Sequence, residues 1–240
     1  MNNYGLRLKT DMDVEELSTK LAKYEPWGHE VVFSNGVKTS DFEQRTPFAK
    51  NTVQKSKIVE DSIPFDQMRG GNVLDIGCNS GHNSIYFATK YGMKPTGIDV
   101  SPRHIEVSSL LSEIADIQGQ YVIGDAEVFC KESHYDVVLH FGTLYHLPNP
   151  LLSLQTTFKN LKKGGYLALE TQVYDDPNDQ NICYFMHMQN NDPTNFWALS
   201  TSVLVKYLTI LGFSDVKELL RVSPKMLEEN MSRIILVAKK

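Results

Sequence analysis

The sequence predicts an α/β protein built on one open, doubly wound sheet, and two features indicate this fold. From Asn72 onward, short apolar runs alternate with helical segments over the rest of the 240-residue chain. These runs are apolar throughout instead of alternating with polar residues, which is typical of parallel strands covered by helices on both faces. With 41% hydrophobic residues, the chain can bury such a core without disulfides or structural metals.

The first 70 residues predict an extension that precedes the sheet. Residues 13–24 have the apolar spacing of an amphipathic helix. Residues 31–39 predict two short strands around an Asn-Gly turn, and residues 50–63 predict a second helix that Pro64 limits. The expected organisation is therefore an extension over 1–70 followed by an α/β domain over 71–240.

The α/β domain is predicted element by element from the same alternation. Strands are expected at 72–77, 94–99, 120–124, 135–141, 165–171, 213–221 and 233–239. Helices are expected at 81–91, 102–117, 150–162 and 200–211. The stretch 172–198 is rich in Asp, Asn and Pro, so it is predicted to be an insertion loop or lid.

Charge and cysteine content exclude several classes of protein. The 24 Lys and Arg residues face 29 Asp and Glu residues, which gives a net charge of −5 and argues against a dedicated nucleic-acid binder. Cys78, Cys130 and Cys183 form neither a metal-ligand pattern nor a disulfide framework. Without a signal peptide or an apolar membrane span, we expect a cytoplasmic protein that has no metal site.

The sharpest local motif is VLDIGCNSGHNS at 73–84, where a strand meets a helix. Gly77 and Gly81 let the backbone approach a ligand closely at the carboxyl edge of the sheet. Asn79 and His82 stand where a dinucleotide-binding loop has its second and third glycines, so that class fits poorly. A phosphate-binding GxxxxGK[ST] loop is also absent from the sequence.

Two further acids end the next two strands. Asp99, in GIDVS, stands about 20 residues beyond the glycine loop, where a carboxylate accepts hydrogen bonds from ribose hydroxyls. Asp125, in GDAEVF, ends the third strand, where an acid and a neighbouring N–H can bind adenine. Together with the loop, these positions predict an adenosine-containing ligand that has no pyrophosphate.

The segments LDIGCNSG, GIDVS, GDAEVF, YDVVLHFGTLYHL and LKKGGYLALE resemble class I S-adenosylmethionine-dependent methyltransferases in their order and spacing. The resemblance implies a Rossmann-like, seven-stranded sheet with an antiparallel last strand, and S-adenosylmethionine as cofactor. Gly77, Cys78 and Asn79 would line the methionine moiety, and Lys57 would lie near its carboxylate. The full set of cofactor residues that the resemblance implies is Asp75, Gly77, Cys78, Asn79, Gly81, Asp99, Val100, Asp125, Ala126, Phe141 and Lys57.

Four longer segments, at 26–39, 141–151, 169–176 and 192–200, resemble the branch that contains tRNA wobble-uridine carboxymethyltransferases and small-molecule relatives. In the carboxymethyl-transferring enzymes, a Lys after the early Trp and an Arg before a later Asn hold the extra carboxylate. Here Gly28-His29 and Thr194 occupy these positions. Because a buried carboxylate without cations is unfavourable, ordinary methyl transfer is predicted.

Candidate catalytic residues follow from the need to remove a proton from an amine or hydroxyl acceptor. Tyr145 and His146 follow the fourth strand, and His29 of the extension could close over the pocket from the other side. A structural role, in which His146 and His29 only shape their loops, remains an alternative. His82 is expected to be exposed and His140 to be structural.

The lid supplies the candidate substrate residues. Asn195, Phe196 and Trp197, together with Tyr174, are predicted to form a wall of the acceptor pocket. The alternative is a hydrophobic lid with no substrate contact.

The main functional prediction is methyl transfer to an oxygen or nitrogen of a small molecule, as occurs in secondary metabolism. The alternative is a tRNA wobble-uridine methyltransferase or carboxymethyltransferase, because residues 44–57 carry Arg45, Lys50, Lys55 and Lys57 without an acid. A non-catalytic cofactor-binding subunit is the third hypothesis. A homodimer is compatible with each of them.

Overall fold

The computed structural model describes residues 5–49, 52–223 and 229–240. The strands are β1 Leu6–Leu8, β2 Trp27–His29, β3 Val31–Phe33, β4 Gln44–Ala49, β5 Asn72–Ile76, β6 Lys94–Asp99, β7 Gln120–Ile123, β8 Tyr135–Phe141, β9 Leu161–Tyr174, β10 Cys183–Phe185, β11 Trp197–Leu199, β12 Ser214–Val222 and β13 Met231–Lys239. The helices are α1 Val14–Ala22, α2 Gln54–Glu60, α3 His82–Tyr91, α4 Pro102–Ile114, α5 Pro150–Asn160 and α6 Thr201–Leu211.

The central sheet has the predicted topology. Strands β7, β6, β5, β8 and β9 lie side by side in that order and are all parallel. Strand β13 pairs with β9 in the antiparallel direction, and β12 pairs with β13 at the outer edge. Apolar side chains fill both faces of the sheet, beneath the helices. The prediction of a Rossmann-like sheet with an antiparallel last strand is therefore confirmed, although β10 and β11 extend the predicted seven strands to nine in the described residues.

Strand β9 is longer than the predicted strand over 165–171. Helix α5 already ends at Asn160, and β9 then runs for 14 residues. Its neighbour β8 ends at Phe141, directly opposite Glu170, so the last residues of β9 project beyond the carboxyl edge of the parallel strands. This projection places the end of β9 and its partner β13 beside the expected site.

The predicted insertion loop at 172–198 is partly sheet, which corrects the sequence interpretation. Strand β10 pairs antiparallel with β11, and β11 joins β9 through Val173 and Leu199. The runs Cys-Tyr-Phe and Trp-Ala-Leu have the aromatic and apolar composition of strands. These strands are short and have polar residues on both sides, so the periodicity of the sequence does not reveal them.

The N-terminal extension packs on the outside of α3 and α4. Leu17 and Leu21 of α1 share an apolar cluster with Ile85 of α3 and Leu111 of α4. The predicted hairpin over 31–39 is reduced to a single bridge, because β3 pairs in parallel with β1 instead. The predicted helix over 50–63 corresponds to α2, and its residues 50 and 51 lie outside the described residues.

Arg103 of α4 fixes the course of the extension near the site. Its guanidinium donates hydrogen bonds to the carbonyl oxygens of Tyr24 and Pro26. The next residues form β2, which ends at His29. The extension therefore brings Gly28 and His29 to the edge of the α/β domain.

A membrane-spanning helix and a metal-binding group are both absent from the described ranges. No helix there is long and apolar enough to cross a membrane. No group of three His, Cys, Asp or Glu side chains there is arranged to hold a metal ion.

Candidate active site

The glycine loop forms the floor of the site. Gly77 follows β5 with a φ of 66°, and Gly81 precedes α3 with a φ of 71°. A Cβ on Gly77 would lie 2.1 Å from Thr143 Oγ1, so a side chain cannot be accommodated there. Asn79 also has a positive φ, of 50°, which asparagine tolerates. The loop backbone therefore borders the pocket directly, as the sequence predicts.

Four residues that were predicted to contact the cofactor are packed inside the protein and are not among the residues that line the pocket. Asp75 is buried, its Oδ2 accepts a hydrogen bond from the Ser84 N–H at 3.2 Å, and burial raises its pKa to about 6. Cys78 is also buried, and burial raises its thiol pKa. Gly81 is packed against α4, and Phe141 belongs to the core under the sheet.

Asp99 is the last residue of β6 and faces the glycine loop. Its Oδ2 accepts a hydrogen bond from the Asn79 N–H at 3.0 Å, and its Oδ1 accepts one from the Ser101 N–H at 2.9 Å. His104 Nδ1 lies 3.1 Å from the same Oδ1. Burial opposes ionisation, but these hydrogen bonds outweigh it and lower the pKa of Asp99. An ionised acceptor thus stands where the sequence predicts ribose binding.

A pocket of about 530 Å³ opens beside this carboxylate. Its size lies within the range of small-molecule and cofactor sites. Predicted cofactor residues from the loop and from two strand ends line it: Gly77, Asn79, Asp99, Val100, Asp125 and Ala126. The backbone at Gly77, which has no side chain, the ionised Asp99 and this volume together fit an adenosine-containing ligand.

The structure places Lys57 away from this pocket. Lys57 borders a different surface depression, together with Leu6 and Tyr86. Residues two apart on an α-helix point in nearly opposite directions. Lys55, on the same helix, is therefore the lysine that reaches the carboxyl edge of the sheet.

Lys55 belongs to an ionic cluster that sequence reasoning missed. The Glu170 carboxylate, at the carboxyl edge on β9, receives Lys55 Nζ at 2.7 Å and Arg233 Nε at 2.6 Å. Burial opposes ionisation of Glu170, but the two cations outweigh it and lower its pKa. A Cβ on Gly142 would lie 3.3 Å from Lys55 Nζ, so the cluster stands directly behind the pocket wall.

Tyr145 is buried against this cluster and is not among the residues that line the pocket. Its hydroxyl oxygen accepts a hydrogen bond from Arg233 Nη2 at 3.2 Å, and the guanidinium lies 5.2 Å from the ring centroid. Burial raises the pKa of Tyr145, so the side chain is a neutral phenol.

His146 lines the pocket and contacts the lid. Its Nδ1 lies 2.9 Å from Thr194 Oγ1 and 3.3 Å from the Thr194 carbonyl oxygen. The Thr194 hydroxyl donates to Asp192 Oδ1 at 2.6 Å, so both Thr194 oxygens act as acceptors towards His146. His146 therefore carries its proton on Nδ1 and leaves the Nε2 lone pair unprotonated. Burial lowers the pKa of His146, which favours this neutral form.

His29 approaches from the extension, on the other side of the glycine loop. Its Nδ1 lies 3.5 Å from Ser80 Oγ, and its ring centroid lies 4.2 Å from that of His82. Burial, together with the charges of Lys55 and His104, lowers the pKa of His29 to about 4. His82 was expected to be exposed, but it is buried because the extension covers the first turn of α3.

The lid residues predicted to contact substrate are held by the protein itself. Asn195 Nδ2 donates to the Gln189 carbonyl at 2.8 Å, and Trp197 Nε1 donates to the Pro148 carbonyl at 3.1 Å. Phe196 donates its backbone N–H to the Tyr145 carbonyl, and Tyr174 stacks on Tyr184. The residue of the lid that lines the pocket is Thr194.

The fold and the pocket define a class of protein: an α/β domain that binds an adenosine-containing ligand at the carboxyl edge of a parallel sheet. A family model described as a methyltransferase domain matches residues 52–218. The chain therefore belongs to this methyltransferase domain family. The predicted enzyme class, an S-adenosylmethionine-dependent methyltransferase, and its predicted cofactor are confirmed at this level.

Curated relatives carry a more specific name. A "tRNA U34 carboxymethyltransferase" from Desulfotalea psychrophila is 28% identical over 206 residues, which cover 84% of this chain and 60% of that protein. One from Helicobacter acinonychis is 27% identical over 200 residues, which cover 75% of this chain and 74% of that protein. The first three relatives are matched over about half to three fifths of their own length.

Solved structures support the fold. The N-terminal domain of EvdMO1, crystallised in the presence of SAH and D-fucose, matches with a TM-score of 0.75 at 17% identity. The match covers 95% of this chain and 97% of that one. At this level of identity the likeness establishes the fold alone.

Proposed function

We propose that this protein transfers a methyl group from S-adenosylmethionine to uridine 34 of a tRNA. The names of the relatives from Desulfotalea psychrophila and Helicobacter acinonychis carry this proposal. The sequence interpretation put a small acceptor first, but these relatives support its tRNA alternative better.

The donor is proposed to be S-adenosylmethionine without an additional carboxylate. Gly28-His29 stands where the resemblance places a lysine, and His29 is uncharged at neutral pH because its pKa is about 4. Thr194, where the resemblance places an arginine, is a neutral hydroxyl bonded to His146 and Asp192. Neither position offers a cation to a second carboxylate.

His146 is proposed as the general base of the reaction. When bound, the cofactor supplies an electrophilic methyl group on a sulfonium centre. As the methyl group is transferred from sulfur to the acceptor atom, His146 Nε2 would take the proton of the acceptor. Thr194 keeps the other ring nitrogen protonated, so Nε2 remains the basic atom.

The charge beside the pocket suits an anionic acceptor such as a nucleotide. Lys55 and Arg233 carry two positive charges against the one negative charge of Glu170. One positive charge is therefore left over directly behind Gly142 in the pocket wall. A phosphate group that approaches this wall would be attracted.

The test is a methylation assay on tRNA from cells in which the gene for this protein is deleted. The purified protein, S-adenosylmethionine and this tRNA are incubated, and digested nucleosides are analysed by mass spectrometry. We expect one added methyl group on uridine 34 and matching release of S-adenosylhomocysteine. Asp99→Ala is the negative control, because its ribose-binding carboxylate is removed.

A small hydroxylated molecule is the second candidate acceptor, and one observation favours it. The residues that line the cofactor pocket include Asp99, Asp125 and Glu127 but neither Lys nor Arg, so the lining itself offers no cation to a polyanion. D-Fucose was present with the EvdMO1 domain, which shares the fold. Turnover with sugar hydroxyls and none with tRNA would establish this candidate. Binding of S-adenosylhomocysteine without turnover on either acceptor would establish a non-catalytic subunit.

A further inference from the structure

A chain of hydrogen-bonded side chains connects the interior of the protein with His29. It begins at Ser56 of α2, passes through Asn83 and His82 of α3, and reaches His29 through Ser80 of the glycine loop. The four supporting side chains are at most 8% exposed. Buried polar groups of this kind hold fixed partners, because an unmade hydrogen bond there is costly.

The donors along this chain determine where each proton lies. The Ser56 hydroxyl donates to Asn83 Oδ1 at 2.8 Å, so Asn83 presents its NH₂ group to His82 Nε2 at 3.1 Å. His82 Nε2 must then accept, which leaves its ring proton on Nδ1. That proton is donated to Ser80 Oγ at 3.1 Å.

The hydrogen bond between Ser80 and His29 determines the tautomer of His29. Ser80 accepts from His82, so its single hydroxyl hydrogen is available for His29 Nδ1, 3.5 Å away. His29 Nδ1 accepts this bond, and a neutral imidazole then carries its proton on Nε2. Burial lowers the pKa of both rings, which keeps the chain uncharged at neutral pH. His29 is thus a hydrogen-bond donor at Nε2.

The space beside His29 is small and adjoins the cofactor pocket. A crevice of about 20 Å³ lies between Gly28, His29, Asn79 and His104. Asn79 and His104 also line the cofactor pocket. A space of this size holds about one water-sized group, such as one carboxylate oxygen. Arg103 also lines this crevice, and its positive charge favours an anionic group there.

We propose that His29 donates its Nε2–H to the carboxylate of bound S-adenosylmethionine, and that the chain from Ser56 holds it in this form. His29 is then a cofactor-binding residue, not a base. This inference rests on the cofactor of the proposed function and is independent of the acceptor. It assigns the extension a direct part in cofactor binding.

Calorimetry with two ligands tests this role. S-adenosylhomocysteine carries the carboxylate, whereas 5′-methylthioadenosine lacks the whole amino-acid end. For His29→Ala we expect about tenfold weaker binding of S-adenosylhomocysteine, since a hydrogen bond to a charged group is lost. Binding of 5′-methylthioadenosine should be unchanged. His134→Ala, an exposed histidine in a turn, is the matched control and should bind both ligands normally.

Two further variants separate a donor from a structural role. His29→Gln keeps an N–H donor near the position of Nε2, so it should recover most of the lost affinity. Ser80→Ala removes only the link and should weaken S-adenosylhomocysteine less than His29→Ala does, with 5′-methylthioadenosine again unchanged. Thermal melts confirm that the variants fold.

The proposal is overturned if His29→Ala binds S-adenosylhomocysteine normally, if it weakens both ligands equally, or if His29→Gln is as weak as His29→Ala. A wild-type protein that fails to bind S-adenosylhomocysteine would contradict the proposed function instead. The two failures are therefore distinguishable.

Discussion

His146 lines the cofactor pocket and His29 lines the small crevice beside it, yet their surroundings give them opposite tautomers. His146 donates from Nδ1 to the lid residue Thr194, which leaves Nε2 as a proton acceptor. His29 accepts at Nδ1 from Ser80, which leaves Nε2–H as a donor. The hydrogen-bond partner, more than the residue type, decides whether a histidine is suited to be a base or a donor.

The two sides also differ in how deeply their supports are buried. The partners of His146 lie at the surface, where Thr194 is exposed and the Asp192 side chain is 41% exposed. The chain behind His29 runs through the core. We therefore expect changes on the lid side to alter turnover with little cost in stability, and changes on the core side to reduce stability.

The largest effect is expected for His146→Gln. Loss of the base should lower kcat by about a hundredfold to ten-thousandfold while affinity for S-adenosylhomocysteine stays the same. In the wild type, only unprotonated His146 can accept a proton. Since burial lowers its pKa from 6.5, kcat should persist below pH 6.5 and fall as pH drops through that lowered pKa. Steady-state kinetics across pH, with His134→Gln as control, would reveal an unchanged kcat if the assignment is wrong.

Asp99→Ala should weaken ribose binding, on which the His146 side and the His29 side both depend. Loss of two hydrogen bonds to a charged acceptor should weaken S-adenosylmethionine binding by about a hundredfold. Glu127→Gln, at the rim of the same pocket, should bind within a few-fold of the wild type. Calorimetry that shows equal affinities for Asp99→Ala and wild type would refute the placement of the cofactor.

Asn83→Ala tests the buried chain of hydrogen bonds behind His29. Ser56 and His82 would both lose a buried partner, so the free energy of unfolding should fall by about 1–3 kcal/mol. Thr194→Val, on the lid side, should change it by less than about 0.5 kcal/mol, as is usual at the surface. Denaturant titration of both variants measures the difference. Equal losses would remove the contrast between the two sides.

The smallest effect is expected for Thr194→Val on turnover. Without the hydroxyl, His146 loses one of its two acceptors while the Thr194 carbonyl remains, so kcat should fall by no more than about tenfold. Thr194→Ser keeps the hydroxyl and should restore kcat. A loss that serine does not rescue would indicate a packing effect instead.

The parts of the site that follow local patterns were predictable from the sequence. Asp99 ends one strand, Asp125 follows the end of the next by two residues, and Gly77 directly follows the preceding strand. Parallel strands bring their carboxyl ends to one edge, so these positions converge without knowledge of packing. The same alternation of apolar runs and helices predicted the parallel strands of the central sheet.

The ionic cluster could not be predicted in the same way, because Lys55, Glu170 and Arg233 are distant in sequence. A signal existed, since Glu170 ends the apolar run GYLALE and Arg233 precedes the apolar run IILVA. Charges in buried strands need partners. Which charges pair depends on the register of β9 and β13, which the sequence leaves open.

For a similar reason, the sequence predicted Asn195 at the pocket, whereas Thr194 lines it in the structure. The lid was interpreted as a loop, and the strand β11 that orients this segment was missed. The burial of His82 was not predicted, because the extension that covers it is positioned by tertiary packing.

The central claim is that His146 and His29 have opposite tautomers. Heteronuclear NMR of the protein with isotope-labelled histidines measures this directly at neutral pH, with the two glutamine variants assigning the signals. We expect His146 to be unprotonated at Nε2 and His29 to be protonated there. The same tautomer in both rings, or a doubly protonated ring, would contradict the account.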